Sequence, residues 1–409
     1  MKVRKSIEQY KIPYATAVYG KEEVAAVVKV LKSRWLGSAK NAKEFESKVA
    51  QLFGKKYGLF VNSGSSANLL ALLVCKFPKG GEVITPACTF GTTLSPILYT
   101  GLTPVFVDSE PGYYNAKIED IKKAITKKTV AIMLPDTTGM LNDWPAITKL
   151  AKKHGLVTIQ DSCDTQGAKI NGKPSGSWAD IVTTSSYFTH TITSGGGGGT
   201  VMMNDPELRR LAEVFATWGR RAIGYNEDLR KRFNVTLTRP DHKGKVDYDN
   251  KFVWDEIGFN LRATDMQAAF GLVQLKRLPG FNKRRREVTK QLMKFFKKYE
   301  KDFMLPKFLP NSEHSLLAFP ISIREGSKLN RKKLMTYLEM SGIQTRLLFA
   351  GNILFHPAYQ RESYRRVNSL PGATFIMKNT FLVSNHHALT NKQLEYLFKT
   401  FDGYMKKYA

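Results

Sequence analysis

The stretch Tyr57-Gly-Leu-Phe-Val-Asn-Ser-Gly-Ser-Ser-Ala-Asn-Leu-Leu-Ala-Leu-Leu73 joins two apolar runs through a turn of small polar residues. The first run, Tyr57–Val61, has the length and composition of a buried β-strand, and the second continues as a helix. Gly64 permits a tight turn, and Ser65 and Ser66 place backbone and hydroxyl donors at the start of that helix. Such donors favour a phosphate group, although an ordinary helix cap is the alternative interpretation.

The same alternation of strand and helix continues along the chain. Helical patterns over residues 118–124 and 146–154 lie between short apolar runs, which is typical of a mainly parallel α/β sheet covered by helices. In such sheets, ligands bind at the carboxyl ends of the strands. The further predicted strands cover residues 82–85, 104–107, 129–133, 156–159, 180–183 and 200–203.

The regular alternation of strands and helices ends after about residue 275. Pro279 and Gly280 predict a break in the chain. A long charged helix over residues 282–299 and a strand over residues 316–322 follow. We therefore predict two domains: residues 1–275 form an N-terminal segment and a large domain, and residues 276–409 form a small C-terminal α+β domain.

Length and composition exclude several classes of protein. The chain has 409 residues, of which 42% are apolar, so a sizeable core is expected. No apolar run is long enough to span a bilayer, and no apolar segment follows the basic N-terminus as in a signal peptide. Three cysteines are too few for a disulfide framework or a zinc site. We expect a cytoplasmic protein with no membrane partner and no metal.

The formal net charge of +28 is large. Such a charge fits either nucleic-acid binding or a basic surface that attracts a phosphorylated ligand. The densest basic clusters, residues 230–232 and 283–286, do not belong to a zinc finger, a basic zipper or an RNA-recognition motif. We therefore do not expect nucleic acid to be the main partner.

An acidic segment, Gln160-Asp161-Ser-Cys-Asp164, follows a predicted buried strand. A carboxylate in this place can pair with the protonated ring nitrogen of a cofactor, as the aspartate of pyridoxal phosphate sites does. A helix cap is the alternative interpretation of Asp161.

Two further stretches contain polar residues next to glycines. In Thr184-Ser-Ser-Tyr-Phe-Thr-His-Thr-Ile-Thr-Ser-Gly-Gly-Gly-Gly-Gly199, a strand and not a helix follows the glycines, so they do not form a dinucleotide-binding motif. A loop whose backbone passes close to a ligand explains them better. A lone histidine such as His190 is more often a surface or structural residue. In residues 257–271, Thr264 or Asp265 is suited to cap a helix.

The order and spacing of these stretches resemble the DegT/DnrJ/EryC1/StrS family of sugar aminotransferases and dehydratases. The resemblance runs from about Ile12 to the C-terminus and includes Thr85-Pro-Ala-Cys-Thr-Phe90, Pro104-Val-Phe-Val-Asp108 and Gly258-Phe-Asn-Leu-Arg262. It implies an α/β protein of fold type I among the pyridoxal phosphate (PLP)-dependent transferases, which is the aspartate-aminotransferase fold. Residues 1–275 would then contain the cofactor-binding domain.

The resemblance also implies roles for single residues. The cofactor is expected to be PLP or its pyridoxamine form. Asn260, which is expected to contact the cofactor in the neighbouring subunit, implies a homodimer with shared active sites. The implied contacts are Gly64, Ser65, Ser66 and Ser185 to the cofactor phosphate, Phe90 stacked on the ring, Asp161 to the ring nitrogen, Gln166 near the ring oxygen, and Asn260 to the phosphate in the neighbouring subunit.

His190 departs from the aminotransferases of the family, which have a lysine five residues after the serine that corresponds to Ser185. Imidazole has no primary amine and cannot form the usual Schiff base, but it remains a base near neutral pH. In this frame, histidine in place of lysine is typical of nucleotide-sugar 3-dehydratases. These enzymes remove the C3 hydroxyl of a 4-keto-6-deoxyhexose, and those without an iron–sulfur cluster use an amino donor such as glutamate. Asp164 and Tyr187 also resemble that branch.

The dehydratases form two branches. One acts on a CDP-linked sugar and has an iron–sulfur cluster, whose cysteines follow a Trp-Gly-Arg segment. Trp218-Gly-Arg-Arg-Ala-Ile-Gly-Tyr225 contains no cysteine, and Cys163 alone cannot hold a cluster, so we expect no iron–sulfur cluster. That absence resembles the GDP-linked branch, whereas residues 345–352 resemble the CDP-linked one, and the nucleotide stays open. Two departures from the family are the glycines at 195–198, where a glutamate is usual, and Asp136, where aminotransferases have His or Asn.

We therefore predict a lyase, a nucleotide-sugar 3-dehydratase of deoxysugar or lipopolysaccharide biosynthesis, with His190 as its base. One alternative is another pyridoxamine-phosphate-dependent reaction on a nucleotide sugar. The other alternative is a cofactor-binding relative without catalytic activity, in which His190 is a remnant of lost lysine chemistry.

Overall fold

The computed structural model describes residues 10–221, 232–233 and 235–408. The basic N-terminal residues 1–6 and two residues of the first basic cluster, Arg230 and Lys231, lie outside the described residues. The described strands are β1 (Tyr57–Val61), β2 (Glu82–Pro86), β3 (Thr103–Val107), β4 (Thr129–Pro135), β5 (Val157–Asp161), β6 (Lys169–Ile170), β7 (Lys173–Pro174), β8 (Ile181–Ser185), β9 (Gly199–Met203), β10 (Val235–Arg239), β11 (His242–Tyr248), β12 (Phe303–Met304), β13 (Ser312–Glu313), β14 (Ala318–Ile323), β15 (Arg365–Arg366) and β16 (Thr380–Ser384).

The helices lie mostly between these strands. No described helix has the length and hydropathy that a bilayer crossing requires. The described α-helices are α1 (Lys21–Ser33), α2 (Lys40–Leu52), α3 (Gly64–Leu73), α4 (Gly91–Tyr99), α5 (Ile118–Ala124), α6 (Trp144–Lys153), α7 (Pro206–Ala216), α8 (Asp265–Lys297), α9 (Arg331–Met340), α10 (Pro371–Asn379) and α11 (Asn391–Tyr408).

An eight-stranded sheet has the strand order β1-β9-β8-β5-β4-β2-β3-β15. All neighbouring strands pair in parallel except at β9, which is antiparallel to both β1 and β8. Side chains alternate between two buried clusters on the two faces, as Leu59 and Val61 do on one face and Phe60 does on the other. Both faces are therefore covered, which confirms the predicted mainly parallel α/β sheet.

The predicted break at Pro279 and Gly280 is wrong, because α8 continues through both residues. Proline removes one backbone hydrogen bond and normally ends or bends a helix. Here the helix has buried residues on both sides of the proline, such as Leu278 and Val288, and it packs against α1 and α2. This tertiary packing outweighs the local cost of the proline.

A second, antiparallel sheet of order β12-β14-β16 lies in the C-terminal part of the chain. Phe296 of α8, Phe319 of β14 and Phe401 of α11 are fully buried there. They belong to the same apolar cluster as Leu59 of the large sheet. The division into domains at residue 275 stays a prediction, and α8 crosses that residue.

Candidate active site

A cavity of about 910 Å³ lies at the carboxyl ends of the parallel strands. Its walls include Asn62 after β1, Phe90 after β2, Asp136 after β4, and the ends of β5 and β8. This is where open α/β sheets bind ligands. Of the nine predicted site residues, the cavity wall includes Gly64, Ser65, Phe90, Asp161, Ser185 and His190.

The turn between β1 and α3 forms one end of the cavity. Ser63 caps the helix, and its hydroxyl accepts the backbone N–H of Ser66 at 3.1 Å. Ser66 does not line the cavity, and its hydroxyl donates to Asn62. A Cβ on Gly64 would lie 2.8 Å from the Cβ of Ser185 and 3.0 Å from the Sγ of Cys163. Only glycine lets the helix N-terminus approach β8 so closely, which leaves a shallow cradle suited to an anion.

Asp161 stands in the cavity wall with most of its hydrogen-bonding capacity in use. Its Oδ2 accepts from Asn68 Nδ2 at 2.8 Å and from Thr93 Oγ1 at 2.7 Å. Its Oδ1 accepts the backbone N–H of Cys163 at 3.3 Å. The carboxylate does not cap a helix, so the alternative interpretation of Asp161 is wrong. Its orientation in the cavity is fixed by side chains from α3 and α4.

Sequence reasoning missed Asn68 and Thr93. Asn68 is 2% exposed and stands among the leucines of α3. Its amide oxygen accepts a hydrogen bond from Thr183 Oγ1 at 2.5 Å, which fixes the amide for its bond to Asp161. A polar residue on an otherwise apolar helix face was the available signal, because buried polar side chains need partners.

His190 lines the cavity, and its side chain is 15% exposed. Its Nδ1 is 3.3 Å from Asp164 Oδ1, but the angle between the two groups is not that of a hydrogen bond. Asp164 Oδ2 accepts the backbone N–H of Thr138 at 3.1 Å. The imidazole therefore has an acidic neighbour within a small rotation of a charge-assisted hydrogen bond. Tyr187 lies at the same wall.

Asp136 is a buried acceptor. Its two oxygens accept from Asn142, Trp144, Gln160 and Ser162 at 2.7–3.2 Å. Burial raises the pKa of Asp136, and these hydrogen bonds oppose the rise. Asp136 stands where aminotransferases have His or Asn. Because both of its oxygens already accept hydrogen bonds, its carboxylate holds the end of β4 in place.

The glycine run has a packing explanation at its C-terminal end. A Cβ on Gly199 would lie 2.3 Å from the carbonyl oxygen of Ser63, and a Cβ on Gly198 would lie 2.5 Å from Ser186 Oγ. Gly198 also has a φ of 138°. These two glycines let β9 begin against the turn. Residues 196–198 also line the cavity, as a backbone close to a ligand would.

Phe90 lies at the mouth of the cavity and is 54% exposed. Its ring is 5.9 Å from that of Phe349 in an edge-to-face arrangement. Phe349 has a φ of 46°, which is costly for a residue with a side chain. Sequence reasoning singled out residues 345–352 as a stretch without assigning Phe349 or Arg346 to the cavity wall.

Besides Ser66, two predicted residues do not line the cavity. Gln166 is buried behind it, where Nε2 donates to the carbonyl of Ser185 at 2.7 Å and Oε1 accepts the N–H of Ile192 at 3.2 Å. Asn260 is exposed and pairs through its backbone with Thr217. Gln166 thus supports β8 and the loop after it, while Asn260 presents its side chain to the surface of the chain.

Of the three cysteines, Cys163 is the one that lines the cavity. Burial, with Asp161 beside it, raises the pKa of its thiol well above the usual value. Such a thiol stays protonated and is a poor ligand or nucleophile. Among the described residues, no group of three or more His, Cys, Asp or Glu side chains is arranged to hold a metal ion.

The fold and the cavity define a B6-enzyme-like protein of fold type I. The chain belongs to the DegT/DnrJ/EryC1/StrS aminotransferase family, whose profile matches residues 18–402. This finding confirms the resemblance and the fold class predicted from the sequence.

Two kinds of relatives illustrate the family. The dTDP-4-dehydro-2,6-dideoxy-D-glucose 3-dehydratase of Saccharopolyspora spinosa is 37% identical over 403 residues, which cover 96% of this chain and 86% of that protein. Escherichia coli GDP-4-keto-6-deoxy-D-mannose-3-dehydratase with bound hydrated PLP superposes with a TM-score of 0.86 at 27% identity, over 96% and 99% of the two chains. A second structure of a GDP-4-keto-6-deoxymannose-3-dehydratase contains a trapped PLP–glutamate geminal diamine, with a TM-score of 0.86, 27% identity and coverage of 95% and 100%. The cofactor predicted from the sequence is the one that these two structures contain.

Proposed function

We propose that this protein is a B6-dependent nucleotide-sugar 3-dehydratase that removes the C3 hydroxyl of a 4-keto sugar, with His190 as its base. The observation that carries the proposal is the identity of the cavity residue five positions after Ser185. That residue is a histidine, and among the described residues no lysine lines the cavity. A base without a primary amine favours elimination, because it cannot capture the cofactor as a Schiff base.

The residues present fit the cofactor. The cradle at Gly64 and Ser65, with Ser185 beside it, would hold the phosphate, and Ser66 would support that turn from behind. Asp161 would pair with the protonated ring nitrogen, and Phe90 would cover the ring. Gln166 would act indirectly, because its hydrogen bond to the carbonyl of Ser185 holds the end of β8. Asn260 would reach the cofactor of a neighbouring subunit in a homodimer.

When bound in its pyridoxamine form, the cofactor supplies an amine that condenses with the sugar ketone and a ring that withdraws electrons. The Asp161 carboxylate keeps the ring nitrogen protonated through its charge. His190 would accept a proton from the cofactor methylene as the C3–oxygen bond breaks and would return that proton to the departing oxygen, so that the hydroxyl leaves as water. Hydrolysis of the product would release the amine nitrogen as ammonia, and an amino donor such as glutamate would supply the amine for the next turnover.

Substrate turnover tests this proposal. The protein is incubated with pyridoxamine phosphate, glutamate and, separately, the CDP-, GDP- and dTDP-linked 4-keto-6-deoxyhexoses. We expect ammonia and a 3-deoxy product with at least one of them, because the relatives named above act on dTDP- and GDP-linked sugars. Binding of all components without turnover contradicts the proposal.

The His190→Asn variant separates the alternatives. A 3-dehydratase should lose turnover in this variant while it retains the cofactor, whereas a relative without catalytic activity would retain its biological function. Product NMR in deuterated water distinguishes dehydration from another reaction of the same cofactor. In either case the native protein should bind PLP without a linkage that borohydride can fix.

A further inference from the structure

Arg285 of α8 is a fully buried cation near the active-site cavity. Its Nη1 donates to three backbone carbonyls, those of Leu316 at 3.1 Å, Leu317 at 2.8 Å and Asn385 at 3.3 Å. Its Nε and Nη2 are buried and find no hydrogen-bond partner within the described part of the chain. A buried cation without a bonded carboxylate is costly, so the fold maintains Arg285 at some expense of stability.

The segment that Arg285 holds leads directly to the catalytic histidine. The backbone N–H of Leu317 donates to the carbonyl of Thr138 at 2.9 Å. The N–H of Thr138 donates to Asp164 Oδ2 at 3.1 Å, and Asp164 Oδ1 lies 3.3 Å from His190 Nδ1. Four contacts therefore connect the guanidinium to the imidazole without a gap.

Two features make this connection rigid. Thr138 has a φ of 53°, which a residue with a side chain adopts only when its surroundings impose it. The bond from Leu317 is one such restraint. A Cβ on Gly139 would lie 2.9 Å from Cα of Leu316 and 3.1 Å from the carbonyl oxygen of Asp164, so the segments around these residues are in close contact. A shift of the Leu316 backbone would therefore displace Asp164.

The charges around Arg285 also connect this residue to Asp164. Burial lowers the pKa of Arg285 to about 10, while Tyr14 and Asp164 oppose that change. His386 and His387 are close enough to Arg285 that its charge, added to burial, lowers the pKa of both rings, that of His387 to about 3. Both histidines are thus neutral at physiological pH, and the positive charge of Arg285 and the carboxylate of Asp164 attract each other.

We infer that Arg285 is a positioning residue for the dehydration, which sets the orientation of Asp164 and, through it, which ring nitrogen of His190 carries the proton. This inference rests on the proposed role of His190 as the base. With Asp164 held in place, a small rotation of the imidazole brings Nδ1 into a hydrogen bond with Asp164, so that the proton is kept on Nδ1 and Nε2 is free to accept another. Without Arg285, Asp164 turns away and both tautomers of His190 are populated.

The first test compares three variants on one helix. Arg285→Met removes the charge and the donors, Arg285→Lys retains the charge, and Arg286→Met is the control on a half-exposed neighbour that pairs with Glu313. We expect Arg285→Met to lower kcat by roughly 10- to 100-fold, because small displacements of a catalytic group have effects of this size. KM for the sugar should stay near the native value, Arg285→Lys should recover part of kcat, and the control should match the native protein.

The second test reads the tautomer of His190 directly in the cofactor-free protein. Nitrogen NMR of histidine-labelled protein reports which ring nitrogen is protonated, and His190→Asn identifies the signal. We expect a mixture of tautomers in Arg285→Met and one tautomer in the native protein and in Arg286→Met. A folded Arg285→Met protein with a lower melting temperature but native tautomer and native kcat overturns the inference, since Arg285 would then serve stability alone.

A double-mutant cycle completes the test. If Arg285 acts through Asp164, then Arg285→Lys should change neither kcat nor the tautomer in an Asp164→Asn background; independent effects contradict the inference. If Arg285→Met does not fold, this cycle still decides the question. Because the tautomer is read without substrate, a protein that lacks dehydratase activity but shows the expected tautomer change would contradict only the proposed function.

Discussion

Asp161 and Asp164 are three residues apart in sequence and line the same cavity, but they are held in different ways. Asp161 accepts hydrogen bonds from two side chains and one backbone N–H, so its position is fixed from three directions. Asp164 accepts from one backbone N–H, and its second oxygen faces His190. The fixed position of Asp161 suits a carboxylate that stays paired with one positive charge. The less restrained Asp164 can instead adjust its position as the imidazole of His190 gains or loses a proton.

The largest effect should come from Asp161→Asn. An amide cannot keep the ring nitrogen of the cofactor protonated, and loss of one partner of a buried charge pair costs about 3–5 kcal/mol. We therefore expect turnover to fall by roughly 100-fold or more, with weaker cofactor binding. Steady-state assays and cofactor titration measure both quantities. Native turnover in this variant would mean that Asp161 is not the ring-nitrogen partner.

Asp164→Asn should have a smaller effect of a different kind. The imidazole of His190 loses its acidic neighbour, so we expect kcat to fall by roughly 10- to 100-fold. Cofactor affinity should be unchanged, because Asp164 does not belong to the group that holds Asp161. If cofactor affinity falls together with kcat, the two carboxylates do not have separate roles.

Thr93→Val removes one of the two side-chain donors to Asp161 with little change in shape. A hydrogen bond to a charged group contributes about 1.5–3 kcal/mol, so cofactor affinity should fall by roughly tenfold or more. Thr148→Val is the matched control, because the hydroxyl of Thr148 on α6 donates to the backbone carbonyl of Trp178, away from the cavity. Equal effects of the two variants would show that Asp161 does not depend on Thr93.

The smallest effect concerns the histidines beside Arg285. His387 has a pKa of about 3 in the folded chain, below its ordinary value near 6.5, so the unfolded chain binds one more proton between these values. Stability should therefore fall as the pH drops from 6.5 towards 3, by about 1 kcal/mol per pH unit at most, because the ring is partly exposed.

His387→Phe should make this pH dependence shallower while it retains the stacking on Phe281, whose ring is 3.8 Å away. Urea unfolding at several pH values between 4 and 7 measures the slope. An unchanged slope would show that His387 is protonated in the folded chain as it is in the unfolded one.

The sequence by itself determined the alternation of strands and helices, because periodicity and turn residues are local properties. It also determined the family and, through the spacing from Ser185, the substitution at His190. The chemistry expected at Gly64 and Asp161 depends on a strand end and a helix start, which the sequence displays directly.

Only the tertiary structure decided the rest. Pro279 lies inside a helix because packing on both sides outweighs one lost hydrogen bond. Asn68 and Thr93 come from two different helices and meet at Asp161 only after the sheet has formed. The contacts that connect Arg285 to His190 include a backbone hydrogen bond between Leu317 and Thr138, which are more than a hundred residues apart in sequence, and no local pattern records such a contact.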